Sequence, residues 1–335
     1  MAQAIRSNDQ EGAGEIEIEL SAGTIEYQDT GGDGPVLVLL HGLMMDASLW
    51  DGPIGDLSAD HRCVAPTLPL GAHRHAMRTG ADLSLPGIAR LVAEFLDRLD
   101  LHDVTLVGND TGGALVQLLT CEGAGRVARV VLASCDAFDN FPPGLTGRAL
   151  VLTGKLPPAM FGLFMQQMRI RAVRRLPIAF GWLTKRGDAA TARWMKPIIE
   201  RPEIRRDTVR TLRAAAADTH LLIDAAECLP RFQHPALIVW ASGDRVMPAE
   251  TRPAARRTPP ARAVGPDRRQ LHAHPPGPAH DARPGHPRVH QGIRHNLARH
   301  PARRSDARRP PGLGASGAGR GGARSGGRRC CRRTR

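Results

Sequence analysis

The stretch VGNDTGGA, residues 107–114, places an aspartate at the tip of a glycine-rich turn between two apolar segments. Gly108 and Gly112 allow this turn to close tightly because glycine has no Cβ. A side chain at the tip of a sharp strand-to-helix turn projects clear of the main chain, and the amides of the next helix favour a negative charge there. An ionised Asp110 can therefore displace a leaving group from an sp3 carbon and form an ester. A simpler alternative is that Asp110 only caps the helix.

Alternating strands and helices must hold this turn in place. Helical patterns at 83–100 and 113–125 separate apolar runs of buried-strand type. This alternation predicts an α/β fold with a mostly parallel, doubly wound sheet, preceded by two antiparallel strands in GEIEIEL and GTIEYQDT. The buried-strand runs are VLVLL (36–40), VTLVG (104–108), VVLAS (130–134) and ALIVWA (236–241).

The long segment between Ser134 and Ala236 contains no run of buried-strand type. Its segments MFGLFMQQM (160–168) and RTLRAAAADTHLLIDAA (210–226) have helical patterns, so we expect a helical cap inserted over one edge of the sheet. The sequence thus predicts four parts: residues 1–135 as the first part of the core, 136–230 as the cap, 231–250 as the late core strand, and 251–335 as a basic low-complexity tail.

Three motifs occur in the order and spacing of a known fold. LVLLHG (37–42), GNDTGG (108–113) and WASGDRVMP (240–248) together resemble the α/β-hydrolase fold over roughly residues 15–250. An aspartate at the elbow resembles the branch that contains haloalkane dehalogenases, epoxide hydrolases and fluoroacetate dehalogenases. The resemblance implies hydrolysis of a small organic substrate, of the C–halogen, epoxide or ester type, through a covalent ester on Asp110.

The same resemblance implies roles for residues around the elbow. The backbone amides of Leu43 and Thr111 would hold the developing negative charge. Asp244 would orient a catalytic histidine, with Asp136 as the alternative acid. Asp244 also fits a turn-forming Gly-Asp pair.

His41 and Gly42 end the strand beside the elbow. We expect His41 to be a packed histidine satisfied by the backbone rather than a reacting group. The six cysteines show no metal-ligand spacing, and reduced thiols are the simplest interpretation. We expect neither a metal nor a cofactor.

The side chains that would specify a substrate within this branch are absent. Haloalkane dehalogenases carry a tryptophan, and fluoroacetate dehalogenases an arginine, where this chain has Thr111; many dehalogenases carry an asparagine where it has Leu43. Epoxide hydrolases of this fold use two tyrosines of the cap, but the only tyrosine here is Tyr27. The sequence therefore predicts a nucleophile but does not indicate which leaving group it displaces.

A general base is also missing. An ester on Asp110 needs a base to activate water, and in this family the base is a histidine beyond the last strand. Residues 251–335 contain 21 Arg and 3 Asp, and no Lys, Glu, Phe, Tyr, Trp or Met. Neither a strand nor an amphipathic helix is recognisable there, so a non-catalytic small-molecule-binding protein on the same fold is the alternative function.

Three explanations fit the composition of residues 251–335: a disordered basic arm, an RNA-binding tail, and a GC-rich gene read out of frame. Shifting its degenerate codons by one base permits an amphipathic helix, a strand and a second helix, with a possible stop near codon 297. In that frame the two codons that face the family's histidine cannot encode histidine, and only the adjacent codon could. We therefore predict that this tail is out of frame.

The charge distribution restricts the partners. Residues 1–250 contain 25 Lys and Arg against 30 Asp and Glu, so the net charge of +13 arises in the tail. Because the body is acidic and the tail lacks aromatic residues, we expect no nucleic-acid partner. No apolar run approaches the ~20 residues of a membrane helix, and the polar start lacks a secretory signal pattern. We expect a cytoplasmic protein with a small-molecule substrate and no membrane partner, and the oligomeric state stays open.

Overall fold

The structure, a computed structural model, describes residues 5–6, 15–123, 125–137, 140–185, 187–241, 244 and 246–247. All of them lie in residues 1–301, the first of two units into which the chain divides. The tail, with its predicted shift of frame, lies outside the described residues. The predicted division into four parts therefore stays a prediction.

Eight strands of the described chain form one sheet in the order β1-β2-β3-β5-β4-β6-β7-β8. Neighbours from β1 to β3, and β3 with β5, run antiparallel, while all pairs from β5 to β8 run parallel. This arrangement confirms the predicted α/β class. The strands are β1 (Ile5–Arg6), β2 (Ile16–Leu20), β3 (Gly23–Asp29), β4 (Val36–Leu40), β5 (Arg62–Thr67), β6 (Val104–Asp110), β7 (Val127–Cys135) and β8 (Ala236–Val239).

Helices cover the sheet and fill the long segment between β7 and β8. The core helices are α1 (Asp51–Leu57), α2 (Leu85–Arg98) and α3 (Thr111–Glu122). The helices between β7 and β8 are α4 (Gly144–Thr153), α5 (Pro158–Met165), α6 (Arg171–Arg174), α7 (Asp188–Glu200), α8 (Pro202–Ala217) and α9 (Leu221–Cys228). Short non-α turns occur at Ala47–Trp50, Gln166–Arg169, Pro177–Gly181 and Leu229–Arg231.

Both faces of the sheet are buried, as its alternating side chains require. On β4, Val38 and Leu40 join one core cluster with Phe95 of α2, while Leu37 and Leu39 join the cluster on the opposite face. A third cluster belongs to the segment between β7 and β8 and is built around Trp194 and Phe161. Met44 and Met45, which follow β4, pack into this third cluster. The α4–α9 segment therefore rests on the loop that carries Leu43.

One covalent link differs from the sequence-based expectation. Cys121 at the end of α3 and Cys228 at the end of α9 form a disulfide, with their Cα atoms 5.7 Å apart. The expectation of reduced thiols is therefore wrong for this pair, because the fold brings together two cysteines that lie 107 residues apart. Cys63 and Cys135 are free and buried. None of the described helices combines the length and apolarity needed to cross a bilayer.

Candidate active site

The elbow between β6 and α3 is strained at its tip. Asp110 has φ +53° and ψ −127°, a conformation that non-glycine residues rarely adopt. Glycines make the turn possible: a Cβ at Gly108 would lie 2.4 Å from the Gly112 carbonyl oxygen, and one at Gly112 would lie 2.3 Å from the Leu40 carbonyl oxygen. The Asp110 side chain makes no capping hydrogen bond to α3. The geometry thus differs from that of a simple helix cap.

The carboxylate of Asp110 faces the loop after β4. The Leu43 backbone amide donates to Asp110 Oδ2 over 3.2 Å, and the Thr111 amide also stabilises the charged carboxylate. Gly42 allows this approach, because a Cβ there would lie 2.2 Å from Asp110 Oδ2. The two amides that the sequence suggested as oxyanion donors therefore act on the same carboxylate.

Burial has the largest influence on the pKa of Asp110. The residue is 8% exposed, and this desolvation raises its pKa to about 6 despite the opposing amides of Thr111 and Leu43. The charge of Asp244 raises the pKa further. The amides at the start of α3 therefore lower the pKa of Asp110 by less than burial raises it. With a pKa of about 6, the carboxyl is still about nine-tenths ionised at pH 7.

Asp136 is a second buried carboxyl beside the elbow. It follows β7, is 1% exposed, and accepts a hydrogen bond at Oδ2 from Thr111 Oγ1 over 3.2 Å. Its Oδ1 atom is buried and has no hydrogen-bond partner. Burial and the nearby charge of Asp110 hold the pKa of Asp136 well above its usual range. Two such carboxyls are not both ionised readily, so the proton resides on Asp136.

Asp244 uses its carboxylate within its own turn. Its Oδ1 atom accepts from the amides of Val246 and Met247, both over 2.9 Å. These are the contacts of a turn-forming aspartate, and they leave Asp244 close enough to raise the pKa of Asp110. The structure thus brings Asp110, Asp136 and Asp244 to one end of the parallel strands.

His41 is fully buried and both of its ring nitrogens are occupied. Nε2 accepts from the Leu68 amide over 2.8 Å, so the proton lies on Nδ1, which is 2.8 Å from the Gly42 carbonyl oxygen. Burial lowers the pKa of His41 to about 4. This histidine therefore stays neutral and holds the β4 loop against the β5 loop.

Two buried polar pairs that join the core to the α4–α9 segment did not emerge from the sequence. His73 Nε2 lies 3.6 Å from Asp207 Oδ2 of α8, and Asp46 Oδ1 accepts from Trp194 Nε1 of α7 over 3.0 Å. The sequence signal that could have placed His73 is the apolar part of β5, because the loop that contains His73 follows this strand.

Metal-ligand atoms converge in one cluster of the described residues, away from the elbow. Glu17 and Glu26 are cross-strand partners on β2 and β3, and His75 Nε2 lies 3.2 Å from Glu17 Oε1. Arg74 already pairs with Glu26 over 2.8 Å. None of the residues of this cluster is among the groups that act on Asp110. Tyr27, on β3, packs edge-on against Phe95 in the core.

The sequence profile of the alpha/beta hydrolase fold family matches residues 35–267, which span the elbow and all the strands from β4 to β8. The chain belongs to this family. A haloalkane dehalogenase of Mycobacterium tuberculosis is 35% identical over 114 residues, which are 34% of this chain and 39% of that protein. A candidate epoxide hydrolase from Pseudomonas aeruginosa has the same fold, with a TM-score of 0.60 and 21% identity over 75% of this chain and 86% of its own.

A longer match joins this chain to an uncharacterized protein of Mycobacterium tuberculosis, with 25% identity over 228 residues. That match covers 65% of this chain and 64% of the relative. The chain therefore spans less than two thirds of the length of these relatives, and the family is established without a specific activity.

Proposed function

We propose that this chain is a hydrolase in which Asp110 forms a covalent ester with a small organic substrate of the C–halogen, epoxide or ester type. The main support for this proposal is the position of the Asp110 carboxylate at a strained elbow, within reach of the Leu43 and Thr111 amides. A carboxylate that needed only to cap α3 would not require this conformation. The dehalogenase relative supports the same chemistry.

In the first step an Asp110 oxygen attacks an sp3 carbon of the substrate. The new C–O bond forms as the bond to the leaving group breaks, and the halide, epoxide oxygen or carboxylate departs with the electron pair. The raised pKa of Asp110 reflects loss of hydration, and a poorly hydrated carboxylate is the more reactive nucleophile. Neutral Asp136 adds no second negative charge beside the attacking group.

In the second step water attacks the carbonyl carbon of the ester, and the ester C–O bond breaks to release the alcohol and restore Asp110. The Leu43 and Thr111 amides are placed to stabilise the oxyanion of this step. No described histidine is among the groups whose charge or hydrogen bonds act on Asp110. Burial, the largest cause of the raised pKa of Asp136, still acts in the ester and disfavours Asp136 as the base, so we expect the ester to persist.

The lack of a base among the groups that act on Asp110 in the described residues favours a second candidate, a small-molecule-binding protein that uses this fold without catalysis. In that case Asp110 would accept hydrogen bonds from a ligand and would form no ester. The two candidates differ in one observable, a covalent bond at residue 110.

Mass spectrometry of the protein after exposure to reactive haloalkanes and epoxides tests the proposal. We expect an added mass on the tryptic peptide that contains Asp110, and Asp110→Asn should abolish it. Asp244→Asn is the matched control, because it removes a neighbouring carboxylate and leaves the elbow intact. Non-covalent ligand binding without any adduct across the panel would favour the binding protein. Sustained turnover would reveal a base outside the described residues.

A further inference from the structure

Between residues 148 and 185, the α4–α9 segment exposes both apolar and basic side chains. All of the large hydrophobic side chains that are exposed in the described chain lie between residues 152 and 182, with exposures up to 76% at Leu163. They are Leu152, Met160, Leu163, Phe164, Ile170, Leu176, Ile178 and Trp182. Six exposed basic residues accompany them: Arg148, Lys155, Arg169, Arg171, Arg175 and Lys185. We call these fourteen residues the basic cap surface.

The charge of this region is one-sided along the chain. Residues 140–187 contain eight Lys and Arg and no Asp or Glu. Residues 1–139 contain eight Lys and Arg and 21 Asp and Glu. Of the eight, Arg174 is buried and pairs with Asp188 over 2.8 Å. A surface with this sign of charge attracts an anionic partner and opposes face-to-face pairing with a second copy of the chain.

We propose that the basic cap surface docks on an anionic phospholipid bilayer. Arg and Lys lie level with anionic headgroups, while apolar side chains such as Leu163, Phe164 and Trp182 enter the outer part of the acyl region. Trp182, 46% exposed, has the amphipathic ring that is enriched at membrane interfaces. Docking of this kind needs no helix that spans the membrane, and none occurs among the described residues.

Flotation of the full-length chain with phosphatidylcholine vesicles, with and without phosphatidylglycerol, tests the charge requirement. Arg169→Glu/Arg171→Glu/Arg175→Glu should weaken binding to the anionic vesicles on the order of a hundredfold. The matched control reverses three exposed arginines elsewhere, Arg90, Arg98 and Arg231, and should bind nearly as the parent chain does. Equal losses in the two triple variants would overturn the proposal.

Brominated phospholipids distinguish docking of this surface from binding through the arginine-rich tail. Trp50 and Trp194 are buried and Trp240 is partly buried, so insertion should quench mainly Trp182, and Trp182→Phe should remove most of the quenching. Leu163→Ser/Phe164→Ser should reduce quenching while flotation persists through charge. Vesicle binding without quenching would assign the interaction to the tail, which has no tryptophan. A dimer in light scattering without vesicle binding, or capture by an acidic protein alone, would also overturn the proposal.

Discussion

Asp110→Asn should make this protein more stable while it removes the proposed nucleophile. Asparagine keeps the shape of the side chain and an oxygen that accepts from the Leu43 amide, but it carries no charge. Burial raises the pKa of Asp110 from 3.8 to about 6. That difference corresponds to about 3 kcal/mol by which folding disfavours the ionised carboxylate. The expected gain at neutral pH is therefore up to about 3 kcal/mol.

The gain in stability of Asp110→Asn should depend on pH in a definite direction. Because folded Asp110 binds its proton more tightly than the unfolded chain does, its contribution to the free energy of unfolding falls as pH rises from 3.8 to about 6. The variant lacks this loss, so the difference between the two proteins should grow across that range and then level off. His41, whose pKa is lowered to about 4, changes stability in the opposite direction, but it is present in both proteins and cancels.

Urea denaturation of both proteins, followed by tryptophan fluorescence in steps from about pH 4 to about pH 8, measures this difference. Asp136→Asn is the matched control. Its difference from the parent should also grow as pH rises, because burial and the nearby charge of Asp110 hold the pKa of Asp136 well above its usual range. An Asp110→Asn variant less stable than the parent at pH 7, or a gain independent of pH, would refute the proposed balance of burial and amide contacts.

Four further outcomes follow. The rate of adduct formation on Asp110 should rise with pH to a half-maximum near 6 and then level off; a rate flat across this range would contradict the raised pKa. Gly42→Ala should reduce adduct formation at least about tenfold by displacing the carboxylate, whereas Gly55→Ala, with open space around it, should not. A non-reducing peptide map should link Cys121 to Cys228, and Cys121→Ser should lower the free energy of unfolding by about 4 kcal/mol; two free thiols would refute this. Resequencing should find that a one-base shift near codon 250 opens a frame that ends near codon 297, and early stops in both alternative frames would exclude it.

The fold was largely predictable because buried parallel strands require continuous apolar runs. β4, β6, β7 and β8 all lie where such runs occur. β5 was missed because it begins at Arg62 and contains Pro66, which lies beyond Val64, the last β5 residue that pairs with β4. The loop after β5, and with it His73, was consequently not placed beside the α4–α9 segment.

The site was predictable only as far as local sterics determine it. Glycines at 108 and 112 are dictated by contacts within a few residues, so the elbow could be recognised from the sequence. The protonation of Asp136 depends instead on burial by elements distant in the sequence, and the Cys121–Cys228 link depends on how α3 and α9 meet. No local pattern carries either property.

The hydrogen-bond donors to the Asp110 carboxylate are main-chain groups, so they do not depend on which side chains residues 43 and 111 carry. The Leu43 and Thr111 amides are positioned by the pairing of β4 with β6 and by the start of α3, whatever side chains those residues carry. Under the proposed function, substitution at either position would change the side chain beside the leaving group while both main-chain donors persist. A change of substrate through residues 43 and 111 would therefore leave the stabilisation of the Asp110 carboxylate in place.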